Sequence, residues 1–414
     1  MSKLLAFEFL QADGLSPIRS LASAVDTAVE APGLPLNFAR TFPEAISQRY
    51  ELDPLGYGWS DNWELSLVTE TDGTVEIVGP AGSRRTFHAY RPFGSSTPSY
   101  YADPGDYGKL TATGGGVFAL TEADGLLYVF RADGTLNYVE DPNRNRVTAG
   151  YTGDLLTSLS HSSGETLQIA YNAPGRIQSV TDEIGRQTVF TYDAANEHLL
   201  SVQDYDGQIT TYTYNNQSVT TRHALASITY PGGTHRYFTY DSEGRLAGTY
   251  PDSGAEMITF GYGSAGTVSA TDATGGTSTF FFDKSGLLLK TEDALGNVVR
   301  LSYDYWNNLT AVTDPAGRSY TYRYDGKGNL ISSTDPLGDT TRFSYIGPFN
   351  RLASVTDANG NLTKYTYDGF GNLQAIRYAD GSTERWTYDE LGNRTPGRIA
   401  GGTRLITPTM TTAA

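Results

Sequence analysis

The chain lacks cysteine altogether and has only three methionines and five histidines among its 414 residues. The absence of cysteine excludes disulfides, thiol catalysis and zinc sites with cysteine ligands, although it does not decide the cellular compartment. The histidines share no metal-ligand spacing such as H-x-x-x-H; they are His88, His161, His198, His223 and His235. The sequence therefore predicts no metal site and no cofactor.

Positive charge and long apolar runs are also scarce. The net charge is −16, which argues against nucleic acid as a partner because neutralising phosphates requires clustered Lys and Arg. No segment reaches about 18 consecutive apolar residues, so we expect no membrane-spanning helix. The first ten residues, MSKLLAFEFL, contain a charged Glu8 within a short apolar stretch, so we do not expect them to form the apolar core of a signal peptide.

Helical periodicity is missing from most of the chain. No window of the repeated region carries apolar residues at i, i+3, i+4 and i+7, and the 46 glycines interrupt the chain about every ten residues. The Ala-rich stretch Ile18–Glu30 is the exception. We therefore expect residues 1–30 to form a short helix or a disordered segment.

What the sequence has in abundance is tyrosine at a fixed spacing. An aromatic residue, usually followed by Asp, recurs about every 21 residues, which indicates an array of one small unit stacked on copies of itself. The twelve register positions are Tyr151, Tyr171, Tyr192, Tyr214, Tyr240, Tyr262, Phe282, Tyr303, Tyr324, Tyr345, Tyr367 and Tyr388.

Each unit reads as a β-hairpin. A large apolar residue precedes nearly every register aromatic by two positions, as Tyr322 precedes Tyr324, and this alternation is typical of a strand with one apolar face. Asp-x-x-Gly turns such as Asp314–Gly317 begin the first strand of a unit. The second strand is less regular, with Leu352 and Val355 three apart, which predicts a bulge. The predicted fold class is all-β: an antiparallel β-hairpin repeat array in which consecutive hairpins pair edge to edge.

Residues 31–120 lack the 21-residue register but are equally rich in strand-forming residues. We predict strands in five segments: 34–42, 56–65, 74–78, 84–88 and 117–120. Arg91–Lys109 is rich in Pro, Gly and Ser, which predicts a long loop. We therefore divide the chain into an N-terminal β module at 31–120, an array of about twelve units at 121–395 and a disordered tail at 396–414.

The units resemble a known family. Tyr-Asp-x-x-Gly-Asn-Leu, as at Tyr324–Leu330, with Asp-x-x-Gly between units, resembles the YD repeats of Rhs proteins, and "LPLNFARTF…GYGWSDNWELSL…GSRRTFH" resembles the domain that often introduces them. This resemblance covers roughly residues 31–395. It implies a sheet wound into a spiral shell. In bacterial toxins such shells enclose a C-terminal toxin, and in teneurins a similar barrel serves cell adhesion.

The resemblance also sets expectations about function. We expect a non-enzymatic, secreted or cell-surface structural protein whose partners are a C-terminal toxin or a continuation of the shell encoded elsewhere. The alternative is an extracellular adhesion or carbohydrate-binding module for cell-surface glycans. The Asp-Pro-x-Gly-Leu type of cleavage motif that ends related toxin shells is not found after Tyr388, and Asp53–Trp59 mimics it only within the N-terminal module. The array is short for a closed shell, so we expect a partial one.

Three local patterns have functional interpretations that we weigh against structural ones. Gly261–Gly266 matches G-x-G-x-x-G, but a dinucleotide site needs a following helix, and these glycines occupy a repeat turn. The aspartates of Asp204–Gly207 and Asp141–Asn145 are of the type that binds calcium, but turn formation explains them locally. The aromatic ladder could stack on sugars, although packing of the apolar face explains it more simply.

Overall fold

The structure is a computed structural model that describes residues 20–94, 97–216, 218–264 and 266–395. The expectations for residues 1–19 and for the tail at 396–414 lie outside these ranges. Strands dominate the described residues, and the only helices there are two short 3₁₀ turns, η1 (Ser47–Tyr50) and η2 (Pro80–Gly82). Within the described ranges, no helix has the length and apolarity required to cross a membrane.

The N-terminal part forms small antiparallel sheets. One joins β1, β2 and β5, another joins β6 to β9, and β3 pairs with β4. The strands are β1 (Ser20–Val29), β2 (Leu36–Pro43), β3 (Leu52–Asp53), β4 (Gly56–Tyr57), β5 (Ser60–Asp61), β6 (Ser66–Thr69), β7 (Val75–Val78), β8 (Arg84–Tyr90) and β9 (Ser99–Ala102).

Two N-terminal predictions are wrong. The described part of the expected helix Ile18–Glu30 is strand β1, which pairs with β2 from Ser20↔Pro43 to Val29↔Leu36. The helix propensity of alanine is worth only tenths of a kcal/mol per residue, so this long pairing overrides it. The expected loop Arg91–Lys109 contains strand β9, which pairs with β8 and lies beside the next strand.

The repeats form one continuous antiparallel sheet, which within the described residues has 27 strands in sequence order, each paired with its neighbours in the chain. This confirms the edge-to-edge hairpin array. The sheet begins at Lys109, inside the region assigned to the N-terminal module. Its strands are β10 (Lys109–Gly114), β11 (Val117–Thr121), β12 (Leu127–Phe130), β13 (Leu136–Glu140), β14 (Arg146–Thr152), β15 (Leu155–His161), β16 (Thr166–Tyr171), β17 (Ile177–Asp182), β18 (Gln187–Tyr192), β19 (Leu199–Gln203), β20 (Ile209–Asn215), β21 (Ala224–Thr229), β22 (His235–Tyr240), β23 (Leu246–Pro251), β24 (Ile258–Tyr262), β25 (Thr267–Asp272), β26 (Thr277–Phe282), β27 (Leu288–Glu292), β28 (Val298–Tyr303), β29 (Leu309–Thr313), β30 (Ser319–Tyr324), β31 (Leu330–Thr334), β32 (Thr340–Ile346), β33 (Arg351–Thr356), β34 (Leu362–Tyr367), β35 (Leu373–Arg377) and β36 (Thr383–Arg385). A last hairpin joins β37 (Thr387–Tyr388) and β38 (Arg394–Thr395).

A bulge recurs beside the register tyrosines, as predicted for the second strand of the unit. Ser302 pairs with Ala311 but Tyr303 pairs with Leu309, so Thr310 is the extra residue. The same one-residue shift occurs in most units. Such a bulge increases the local twist of a sheet, and it leaves the backbone carbonyl of the leucine available to another donor.

The core lies on one face of the first half of the sheet, against the N-terminal strands. Phe38 and Trp59 are buried there together with Phe190 and Tyr212 of the array. The rings of Phe38 and Phe190 meet edge to face with centroids 6.3 Å apart. The N-terminal strands and the early repeats therefore share one hydrophobic core.

Candidate functional site

The register tyrosines link each hairpin to the one before it. The hydroxyl of Tyr324 donates to the carbonyl of Leu309, the residue that pairs with Tyr303 beside the bulge. Ten register tyrosines make this bond to a carbonyl 15 or 16 residues earlier, at 2.7 to 3.0 Å. The bulge supplies the free acceptor, and the hydroxyl explains why the register requires tyrosine rather than phenylalanine.

Phe282 supports this account because it lacks the hydroxyl. The pairing of β24 with β25 in the preceding hairpin, where Tyr262 pairs with Val268, has no register shift. The bulge beside Tyr262 is therefore missing, and so is the hydroxyl at position 282 that would bond to the carbonyl freed by that bulge.

The turns at the two ends of the strands use their aspartates in the same way. We call the turns that follow a register aromatic the tyrosine-side turns, and those on the opposite side the far-side turns. In the far-side turn at 293–297, Asp293 accepts from the backbone N–H of Leu295 and Asn297 and from the Asn297 amide. These hydrogen bonds, from the Asn297 amide first, hold the pKa of Asp293 below its usual range.

The sheet coils back on itself, so that turns about 200 to 250 residues apart in sequence meet along a seam. We call strands β10–β25 and their turns the first coil, and strands β26–β38 and their turns the second coil. In every seam contact, a far-side turn or loop of the first coil meets a tyrosine-side turn of the second coil. The two amides of Asn143 and Asn372 exchange hydrogen bonds of 3.1 and 2.7 Å. The Tyr107 hydroxyl and the Asn308 amide are 2.7 to 2.9 Å apart.

Backbone carbonyls complete the seam. The amide of Asn350 donates to the carbonyl of Ala123 at 3.0 Å, and that of Asn145 donates to the carbonyl of Leu391 at 2.9 Å. Because opposite sides of one ribbon meet, the contact is head to tail.

The N-terminal module covers the tyrosine-side turns of the first coil. The Leu67 N–H donates to the carbonyl of Gly134, and the Tyr57 N–H donates to that of Glu197, both at 2.8 Å. Farther along the coil, the Arg49 guanidinium donates to the carbonyl of Gly244 at 2.7 Å. The tyrosine-side turns of the first coil therefore contact the module, and its far-side turns contact the second coil.

The module also covers the apolar face of the first coil. The Trp59 indole N–H donates to the Tyr214 hydroxyl at 2.8 Å, and the buried Arg40–Asp26 pair reaches the Tyr212 hydroxyl at 2.7 Å. Trp59 packs on the face of the sheet at β20 and not at its first strand, β10. Trp63 instead donates to the carbonyl of Asn37 within the module.

The same face of the second coil is not covered by other described residues. In the first coil the residues two positions before the register tyrosines are buried, as Phe190 is at 3% exposure. In the second coil the equivalent residues are only partly buried; they are Leu301, Tyr322, Phe343 and Tyr365. The result is a wall of partly exposed aromatic and aliphatic side chains from β26 to β35.

Two histidines that are 25 residues apart in sequence come together beside the module. His198 lies between the Asp193 carboxylate, at 2.8 Å, and His223, at 2.9 Å, and the Tyr57 ring stacks on His223. Burial, with a smaller contribution from His198, lowers the pKa of His223 to about 4. This pairing could not be predicted from the sequence, in which the two residues are marked only by their positions in successive tyrosine-side turns.

The other residues considered from the sequence occupy turns or pair locally. Gly261–Gly266 begins in strand β24 and leads into strand β25, so no helix follows it and a dinucleotide site is not formed. The carboxylate of Asp204 accepts from the backbone of its own turn, as does that of Asp141. His88, His161 and His235 lie apart from one another, each with its own local hydrogen-bond partner.

Two protein-family models match parts of the chain. The RHS repeat matches five overlapping stretches: residues 282–319, 303–340, 324–361, 348–383 and 367–398. A domain of unknown function, DUF6531, matches residues 19–87. No curated protein matches the sequence.

Several solved structures share a distant likeness. A TcdB2-TccC3 structure without its hypervariable C-terminal region is 14% identical with a TM-score of 0.47, over 87% of this chain and 23% of that one. TcdB2-TccC3-TEV is 16% identical with a TM-score of 0.46, over 90% of this chain and 25% of that one. The Tc holotoxin pore of Photorhabdus luminescens is 14% identical with a TM-score of 0.38, over 86% of this chain and 21% of that one. The chain thus spans about a quarter of the length of these relatives.

Proposed function

Since this chain is an Rhs/YD-repeat protein, we propose that it is a non-enzymatic wall segment of a spiral shell that holds a polypeptide cargo for toxin delivery outside the cell. The observation that carries the proposal is the seam, because it stacks one coil on the next through turns that every repeat supplies. The uncovered apolar face of the second coil gives the wall a surface suited to a poorly folded chain.

The stacking can be tested by crosslinking, and the chain's lack of cysteine makes every introduced thiol unique. We expect Asn143→Cys with Asn372→Cys to be joined within one molecule by a short bis-maleimide, because the two side chains are in contact. Non-reducing gels would show a faster monomer band.

The matched control is Asn143→Cys with Asn297→Cys, because Asn297 lies on a far-side turn and should not reach the seam. Equal crosslinking of both pairs, or crosslinks only between molecules, would contradict the stacked arrangement.

Cargo holding can be tested with a permanently unfolded probe, reduced and carboxymethylated lactalbumin. We expect the protein to bind this probe and to lose most of the binding in Phe343→Ser with Tyr365→Ser, which removes aromatic area from the uncovered face. Ser344→Ala with Thr366→Ala changes the opposite face and should bind normally. Circular dichroism would establish that all variants fold. Absence of binding, or equal binding by both variants, would overturn the cargo role.

A second candidate function is carbohydrate binding, which one exposed pair of rings favours. Tyr305 and Trp306 are 77% and 50% exposed, with ring centroids 5.3 Å apart at 87°. Reproducible binding on a glycan array that is lost in Trp306→Ala, together with failure to bind the unfolded probe, would favour this function over the shell wall.

A further inference from the structure

A cavity rich in carboxyl groups separates the N-terminal module from the first coil. It has a volume of about 400 Å³ and lies beside the tyrosine-side turns of the early repeats. Four of its acidic residues come from the module, namely Glu51, Asp53, Asp61 and Glu64, and Asp154 comes from the array. Such a concentration of one charge is costly unless something compensates for it.

The two most deeply buried carboxyl groups of the cavity, those of Asp61 and Glu64, have no cationic partner. Asp61 is only 4% exposed, and it is held in place by the Trp63 N–H at 2.7 Å. The Oε1 atom of Glu64 is buried and has no hydrogen-bond partner. No basic side chain among the described residues forms an ion pair with either group. Burial raises the pKa of Asp61 to about 7, which reflects the missing compensation.

The nearby guanidinium groups are engaged elsewhere. Arg84, on the cavity wall, pairs with Glu76 at 2.8 Å. Arg131 donates to the carbonyl of Ala149, and Arg176 donates to that of Asn196. Arg131 also lies over the Tyr151 ring, and the charge of Arg176 acts to lower the pKa of Asp53. Some positive charge therefore reaches the rim of the cavity, but neither Asp61 nor Glu64 has a cationic partner.

The lining favours an organic cation over a metal ion. Among the described residues, no three carboxylate or histidine groups converge closely enough to hold a metal. The rings of Tyr151 and Tyr171 also line the cavity, and aromatic rings attract ammonium and guanidinium groups. Such groups carry several N–H donors that can reach separated carboxylates.

We propose that this cavity binds a small organic cation, an alkylammonium or alkylguanidinium, whose charged group donates hydrogen bonds to Asp61 and Glu64 and lies against the rings of Tyr151 and Tyr171. The proposal is independent of the shell role, because the cavity lies behind the module and away from both the seam and the uncovered face.

The test is calorimetric titration of the full chain at constant ionic strength with n-butylguanidinium, n-butylammonium, n-butanol and magnesium chloride. We expect saturable binding of one or both organic cations and none of butanol or magnesium. In Asp61→Asn with Glu64→Gln, which keeps the shape and removes the buried charges, the Kd should rise at least tenfold. The double variant should fold, because it removes uncompensated charge; circular dichroism would show this.

The control, Glu183→Gln with Glu256→Gln, removes the same charge from exposed turns and should leave the Kd unchanged. Three results would overturn the proposal. One is the absence of saturable cation binding, which would mean that the carboxyl groups are neutralised by protons alone. The second is binding of magnesium in preference to the organic cations. The third is binding that the cavity variant retains.

Discussion

Removing single tyrosine hydroxyls should destabilise the first coil more than the second. Tyr214→Phe deletes the donor to the carbonyl of Leu199 and also the acceptor for the Trp59 indole N–H, both under the N-terminal module. Tyr324→Phe deletes only the bond to the carbonyl of Leu309, on a face that water reaches.

The magnitudes follow from burial. A net hydrogen bond contributes about 0.5–1.5 kcal/mol, and a buried polar group left without a partner costs about 1–3 kcal/mol. Tyr214→Phe leaves two such groups without a partner, so we expect a loss of about 2–6 kcal/mol, against about 0.5–1 kcal/mol for Tyr324→Phe. Burial raises the pKa of Tyr214, so its hydroxyl remains a donor at all ordinary pH values.

Because repeat arrays can open locally, native-state hydrogen exchange read by mass spectrometry is the appropriate assay. The free energy of opening should fall around Leu199 in the first variant and around Leu309 in the second. Phe282→Tyr is the control, since its preceding hairpin has no bulge and the new hydroxyl should add little. Equal losses in both variants, or losses below about 0.3 kcal/mol in each, would refute the role assigned to these hydroxyls.

Two further predictions concern a turn and a buried histidine. Gly328 and Gly317 both have φ of +79°, but an added Cβ at Gly328 would clash with the Tyr107 ring, whereas Gly317 faces open space. Gly328→Ala should therefore lower the melting temperature more than Gly317→Ala, and similar melting temperatures would show that the seam adds nothing. For His223, the folded pKa of about 4 lies below the ordinary 6.5, so the unfolded chain takes up a proton first as the pH falls. Stability present above about pH 6.5 should decline towards pH 4, by about 1–2 kcal/mol once solvent screening is allowed for. In His223→Asn, which also tolerates the positive φ of this site, that decline should be reduced; an unchanged pH dependence in urea titrations would contradict the assignment.

The fold could be predicted largely from the sequence because its signals are local. The spacing of the register tyrosines, the alternation before them and the turn residues at each end act within one hairpin. Gly328, Gly371 and Gly392 have positive φ for the same reason. A bulge could be predicted from the break in alternation, although its partner, the hydroxyl of the next tyrosine, could not.

Only the tertiary structure decided which hairpins meet when the sheet coils. The contact of Asn143 with Asn372 depends on twist summed over about ten units, and a small change per unit would move the seam by a whole repeat. The folding of β1 as a strand was decided in the same way, since its pairing with β2 outweighs local helix propensity. The buried carboxyl groups of Asp61 and Glu64 became a candidate site only when the module closed over the first coil, because sequence reports charge but not burial. Local chemistry thus determined the repeat, and accumulated curvature and burial determined what the repeats enclose.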